Sequence, residues 1–165
     1  MVLICYDGSP DARSAIERAG ELMAGEPTTI LTVWERYTEV LARTASAVAL
    51  SPGFPDSEGI DELSQKNAEQ VCQEGTDLAK RVGLNAQPRV VAQTASITNT
   101  ILAHSEAVGA SAIVMGTRGR TGLKSLLLGS VSHGVLQHAD IAVMVVPSPE
   151  IAQSRQRQRQ EHASA

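Results

Sequence analysis

Short, nearly unbroken apolar runs alternate along the chain with longer stretches whose apolar residues recur at helical spacing. Val2–Tyr6 is apolar, ends in Asp7-Gly8-Ser9-Pro10 and is too short for a helix, so it predicts a buried strand. Ser9 and Pro10 then open a helix. The serine can cap free N–H groups, the proline suits the first helical position, and Ala12, Ala15, Ile16, Ala19, Leu22 and Met23 form an apolar stripe toward Gly25. The β-branched run Thr28–Trp34 predicts a second strand. Leu63, Val71, Leu78 and Val82 predict a long helix over Asp61–Val82, ended by Gly83. Beyond it come a strand at Arg89–Gln93, a helix at Ile97–Val108 carrying Ile101 and Leu102, and a strand at Ala110–Met115. A helix at Ser130–His138 and a strand at Ile141–Val146 follow.

Two stretches stand outside this alternation. Residues 36–60, centred on Ser51-Pro52-Gly53-Phe54-Pro55, read as an irregular loop, which at that length is either functional or mobile. From Pro147 onward the chain is polar, and SRQRQRQEHASA has no apolar periodicity. Residues 148–165 are therefore expected to be a disordered or fraying tail beyond a single domain, 1–147. The Arg/Gln alternation could meet an acidic partner, but a solvated terminus is the plainer account.

Near-continuous apolar strands separated by amphipathic helices predict an α/β fold, an open parallel sheet with helices on both faces. A chain of 165 residues can bury such a core without staples. Cys5 and Cys72 show no CxxC or Cys/His metal spacing, which fits a reduced cytoplasm. No basic leader precedes Val2 and no apolar run approaches the ~20 residues of a membrane span, so a soluble, unexported protein is expected. A net charge of -4, with Tyr6, Trp34, Tyr37 and Phe54 as the whole aromatic set, argues against nucleic acid.

The candidate chemistry lies in MGTRGRTGLKSLLLGSVSHG, residues 115–134. In an open α/β sheet, ligands sit beyond the C-terminal strand ends where strand order reverses. Asp7-Gly8 follows the first strand, and Gly116 follows the fourth. Gly116-x-x-Gly119, then nine residues, then Gly129-Ser130 puts a glycine turn on a strand end and a Gly-Ser pair at a helix start. Both suit phosphate, because glycines let backbone N–H groups approach an anion and the helix terminus adds unpaired donors. Ser130 adds a hydroxyl, and Arg118, Arg120 and Lys124 add charge. Gly122-Leu123-Lys124-Ser125 misses a Walker A loop by one residue, GxGxxG is absent, and the acidic pair and third-strand aspartate of a phosphorylation receiver are missing. Plainer readings stand beside these: Asp7 as part of a turn, Ser130 as a helix cap, and His104, His133 and His138 as surface or half-buried helix residues.

The opening strand ending in Asp-Gly-Ser, the fourth ending in Val-Met-Gly-Thr-Arg-Gly-Arg-Thr-Gly-Leu, Leu-Leu-Leu-Gly-Ser-Val and the closing apolar strand ending in proline together resemble the universal stress protein family over residues 1–147. Gly-x2-Gly-x9-Gly-Ser resembles the signature of its ATP-binding branch. That resemblance implies a five-stranded sheet in order 3-2-1-4-5, with ATP, accompanied by Mg2+, between the first and fourth strand ends. It implies Asp7 at the adenosine half, Val33 offering backbone groups to the base, and Gly116, Gly119, Gly129, Ser130 and Val131 at ribose and phosphates. Cys5, Tyr6, Met115 and Arg118 complete the implied nucleotide set. Ala95-Ser96-Ile97 stands where the family often has Gly-x-Pro, which leaves the shape of that wall of the pocket open.

Two functions follow as expectations: a nucleotide-dependent switch in stress response, or a slow nucleotide hydrolase or transferase of the same fold. No carboxylate pair and no Ser/His/Asp or Cys/His set stands at the loop for acid–base or nucleophilic work, so the switch is the leading reading and no catalytic residue is assigned. The aliphatic strand Ile141–Val146 would be an edge in that strand order, which predicts a homodimer paired through it.

Overall fold

The computed structural model of the chain describes residues 1–37, 39–40, 57–119 and 128–163. Among the described residues five strands alternate with five complete helices: β1 (Val2–Cys5), α1 (Pro10–Leu22), β2 (Pro27–Trp34), α2 (Ser57–Arg81), β3 (Asn85–Ala92), α3 (Ile97–Ala107), β4 (Ala112–Gly116), α4 (Ser130–His138), β5 (Ala142–Val146) and α5 (Pro149–Ala163); Tyr37, Glu39 and Val40, in the expected loop, are helical too. The strands form one sheet in the order β3-β2-β1-β4-β5, and every pairing is parallel. Strand order therefore reverses between β1 and β4, as the resemblance implied.

Alternation along each strand divides the core into two layers. Val2, Ile4 and Tyr6 point to the face covered by α1 and α2, where they meet Ala15, Ile16, Cys72 and Ala79. Leu3, Ile113 and Met115 point to the other face, against Ile101 of α3 and Val135 of α4. Ser9 caps α1 as predicted, its hydroxyl oxygen accepting from the Ala12 N–H at 3.2 Å with Pro10 in the first turn. Among the described residues no helix is long and apolar enough to cross a membrane.

The departures from the sequence reading have physical causes. β3 begins at Asn85, earlier than Arg89, because it is an edge strand: it tolerates exposed polar side chains and even Pro88, whose missing N–H need not join a ladder. In α2 the buried stripe consists of Ala68, Cys72, Thr76 and Ala79, with Val71, Leu78 and Val82 flanking it, whereas Leu63 is exposed. Small residues let this helix lie close on the sheet. Leu22 ends α1 exposed rather than in its stripe. The helix Ser57–Arg81 takes in the end of the expected 36–60 loop, of which residues 38 and 41–56 lie outside the described residues.

The C-terminal segment also differs from the expected structureless tail, since Pro149–Ala163 is helical. Ser148 supplies the carbonyl that accepts the first helical bond, from the Ala152 N–H at 3.0 Å, Pro149 follows it, and Glu150 stands in the first turn. That is a helix start without an apolar stripe, so periodicity could not reveal it.

Candidate functional site

The C-terminal ends of β1, β2 and β4 and the start of α4 open into a cleft of about 880 Å³, within the size range of small-molecule sites. Its lining includes every residue that the resemblance assigned to the nucleotide: Cys5, Tyr6 and Asp7 from the end of β1, Val33 from β2, Met115, Gly116, Arg118 and Gly119 around the exit of β4, and Gly129, Ser130 and Val131 at α4. Arg120 and Lys124 lie outside the described residues. Ile97 and Ile101 of α3 and Leu31 of β2 join Val33 and Met115 in an apolar wall. Ser64, Asn67, Ala68 and Val71, one face of α2, form the wall opposite.

Strand geometry aims the backbone of Val33 into this space. The carbonyl of Leu31 accepts from the Tyr6 N–H at 2.8 Å on the β1 side, and that of Trp34 accepts from the Gln93 N–H at 2.7 Å on the β3 side. Alternation therefore turns the polar backbone groups of Val33 toward the β1 side, two residues past the last β1–β2 pair, Cys5 with Leu31. At α4 the N-cap is Gly129, extended at φ -71°, and among the described residues no side chain caps the helix. The first-turn N–H groups of Ser130 and Val131 thus carry no side-chain cap where they border the cleft.

The signature glycines do different things. A side-chain carbon on Gly116 would stand 2.7 Å from the backbone carbonyl carbon of Asp11 and 2.8 Å from the Ala12 nitrogen, so Gly116 lets β4 and α1 touch. A side-chain carbon on Gly119 would meet Asp7 Oδ2 at 2.7 Å, across the cleft mouth. Asp7 serves the turn as well as the wall, since its Oδ1 accepts from the Ser9 N–H at 3.0 Å.

Tyr6 borders the cleft, but its ring belongs to the α1–α2 layer and its hydroxyl donates to Glu74 at 3.0 Å, with Glu74 also paired to Arg13. Burial, helped by that bond to Glu74, pushes the Tyr6 phenol up to about 12. Burial also pushes the Cys5 thiol up to about 12, the charge of Asp7 adding to the effect. This thiol is a wall atom rather than a nucleophile. Cys5 and Cys72 are both free, and among the described residues no three His, Cys, Asp or Glu side chains group to hold a metal.

Sequence reasoning missed the polar residues that organise the exit of β4. Asp11 is buried and accepts from the hydroxyl of Thr117 and from the Arg118 N–H at 3.2 Å. The Ser132 hydroxyl donates to the carbonyl of Thr117 at 2.9 Å. Only an acidic residue in a first helical turn was visible beforehand, and that pattern is common to many helices.

A family model described as "Universal stress protein family" matches residues 1–147. The universal stress protein YxiE of Bacillus subtilis (strain 168) is 29% identical over 148 residues, spanning 88% of this chain and 97% of that protein. The solved structure of universal stress protein UspA from Lactobacillus plantarum superposes with a TM-score of 0.68 at 17% identity, over 88% of this chain and 95% of the other. The universal stress protein from Archaeoglobus fulgidus in complex with dAMP superposes with a TM-score of 0.60 at 17% identity, again over 88% and 95%.

Proposed function

Because the chain belongs to the universal stress protein family, we propose that its cleft binds ATP with Mg2+ and that partners read the bound state as a switch. The observation that carries this reading is the convergence of the strand ends on one cleft. Backbone groups of Val33 face one end of it, and the side-chain-uncapped start of α4 borders it together with Gly119. Phosphate suits the α4 end, where N–H groups and the helix dipole favour an anion. Adenine suits the apolar wall of Leu31, Val33, Met115, Ile97 and Ile101, with the Val33 backbone reading its edge. The dAMP held by the Archaeoglobus fulgidus relative supports an adenine nucleotide as the ligand class.

The protein residues fit a metal that rides on its ligand. Mg2+ bound to a nucleotide takes its oxygens chiefly from phosphates and water, and a cleft with few carboxylates is compatible with that arrangement. The edge position of β5 and its uncharged sequence support a homodimer as the form that presents the switch. Native mass spectrometry of the purified protein, followed by calorimetry with ATP, tests the reading. Co-purifying adenine nucleotide, or saturable ATP binding, is expected. Failure of ATP and adenosine alike to bind overturns it, and multiple turnovers, several phosphates released per protein per minute, replace the switch with a hydrolase.

A further inference from the structure

The residue that leaves β4 is held from four directions. Thr117 is buried, at 2% exposure. Its N–H donates to the Val146 carbonyl at 3.0 Å, and its carbonyl accepts from the Gly129 N–H at 2.8 Å and from the Ser132 hydroxyl at 2.9 Å. Its hydroxyl donates to Asp11. The next N–H, that of Arg118, donates to the same Asp11 oxygen at 3.2 Å, and the Arg118 carbonyl accepts from the Ser9 hydroxyl at 3.3 Å.

Asp11 stands in the first turn of α1, where a carboxylate ordinarily complements the helix dipole or caps an amide. Here Ser9 does the capping. Oδ2 of Asp11 is spent instead on two groups more than a hundred positions along the chain. One is the side-chain hydroxyl of Thr117 and the other the backbone N–H of Arg118, the two residues immediately before Gly119. With the β4 backbone already pressed on α1 at Gly116, the carboxylate fixes the Thr117–Arg118 peptide plane, and the Ser9 hydroxyl holds the next one, which enters Gly119.

We propose that Asp11 is a positioning residue for the phosphate site: through Thr117 and the Arg118 amide it sets the direction in which the β4 exit presents the Gly119 N–H. This rests on the nucleotide reading above. Asp11 touches no ligand in this assignment. Its effect is confined to ligand groups held by the glycine turn, so it separates phosphate binding from adenosine binding.

The test compares Asp11→Ala, Asp11→Asn and Thr117→Val with wild type in three readouts: amide exchange at Arg118 without ligand, ATP affinity, and adenosine affinity. Asp11→Ala is expected to speed Arg118 exchange and weaken ATP by about tenfold, the scale of one charge-assisted hydrogen bond, while adenosine stays within about twofold. Asp11→Asn keeps an acceptor oxygen and should recover most of both losses. Thr117→Val removes one of the two bonds in a side chain of nearly the same shape, so it gives a smaller change in the same direction even if the alanine variant does not fold. Unchanged Arg118 exchange in Asp11→Ala, or in Thr117→Val where the alanine variant does not fold, overturns the tether. Equal losses of ATP and adenosine overturn the positioning role. A wild-type protein that binds neither ligand overturns both the nucleotide reading and the phosphate role of Asp11, and the exchange result then separates a purely structural tether from none.

Discussion

Gly119 lies so close to Asp7 that a side-chain carbon on the glycine would stand 2.7 Å from Asp7 Oδ2. The first and fourth strand ends therefore meet through a carboxylate and a residue without a side chain. Gly116, three positions earlier, meets backbone rather than a movable side chain.

That contrast predicts opposite outcomes for two substitutions to alanine. At Gly119 the obstacle is the tip of Asp7, which can rotate, so Gly119→Ala should keep its fold within about 1 kcal/mol yet weaken ATP by tenfold or more as the displaced carboxylate enters the cleft. At Gly116 neither α1 nor β4 can yield, and Gly116→Ala should lose about 3 kcal/mol of stability by overpacking. Denaturant melts paired with ATP titrations decide it. Gly119→Ala binding ATP as tightly as wild type would remove the glycine turn from the site.

Asp7 offers a control on the other wall. Asp7→Ala should weaken ATP while sparing inorganic triphosphate, because the carboxylate is expected at the adenosine half. The loss of its bond from the Ser9 N–H should cost about 1 kcal/mol of stability. ATP should bind more tightly than GTP by about 1–3 kcal/mol if the Val33 backbone reads the base edge, since guanine would leave a buried polar group unpaired. Calorimetry with all three ligands checks this, and equal ATP and GTP affinities contradict base recognition.

Much of this arrangement was legible because strand ends are marked by local chemistry. Val2–Cys5 stops at Asp7-Gly8, and Ala112–Gly116 stops at a glycine, so Asp7 and Gly116 could be named from the points where apolar runs end, whereas Cys5, Tyr6, Val33, Met115 and Val131 rested on the family resemblance. β3 was truncated in the reading because an edge strand does not need apolar side chains at Asn85, Gln87 or Pro88. In α2 only Leu63 departs from the expected face: alanine, cysteine and threonine make the centre of the buried stripe, Val71, Leu78 and Val82 flank it, and Leu63 faces water. The bonds from Thr117 and Arg118 to Asp11 were invisible for a different reason. They join positions that only the placement of β4 beside β1, under α1, brings together, and no local pattern encodes such a pair.

Alkaline pH should destabilise the protein through two cleft residues. Cys5 and Tyr6 both have folded values raised to about 12, from 9.0 and 10.0. Their contribution is fully present below those lower values and is lost as pH rises toward about 12, because the unfolded chain releases these protons first. Melting temperature should therefore fall steadily above pH 9, and Tyr6→Phe, which cannot ionise there, should fall less steeply although it starts lower for want of the bond to Glu74. In the same range, iodoacetamide should alkylate Cys5 far more slowly in the folded protein than in urea. Rapid labelling of native Cys5 at pH 9.5 would contradict the half-buried, protonated thiol.

The edge strand β5 yields the last expectation. Val143, Met144, Val145 and Val146 are half-buried in the single chain, Val143 and Val145 leaning on the α3–α4 layer and Met144 and Val146 on the α1–α2 layer. No charge or proline interrupts the strand from Ala142 to Val146, and such an edge pairs with another strand unless something covers it. A two-fold axis that sets β5 antiparallel to its copy satisfies both edges at once. Val143→Lys should shift sedimentation from dimer to monomer. Because Val143 also packs on the core, the shift counts only if the variant keeps its far-ultraviolet dichroism and melts cooperatively. Ala142→Lys, at an exposed position of the same strand, supplies the second measurement. Wild type sedimenting as a monomer would overturn the dimer, and both lysine variants remaining dimers at wild-type concentration dependence would place the interface elsewhere.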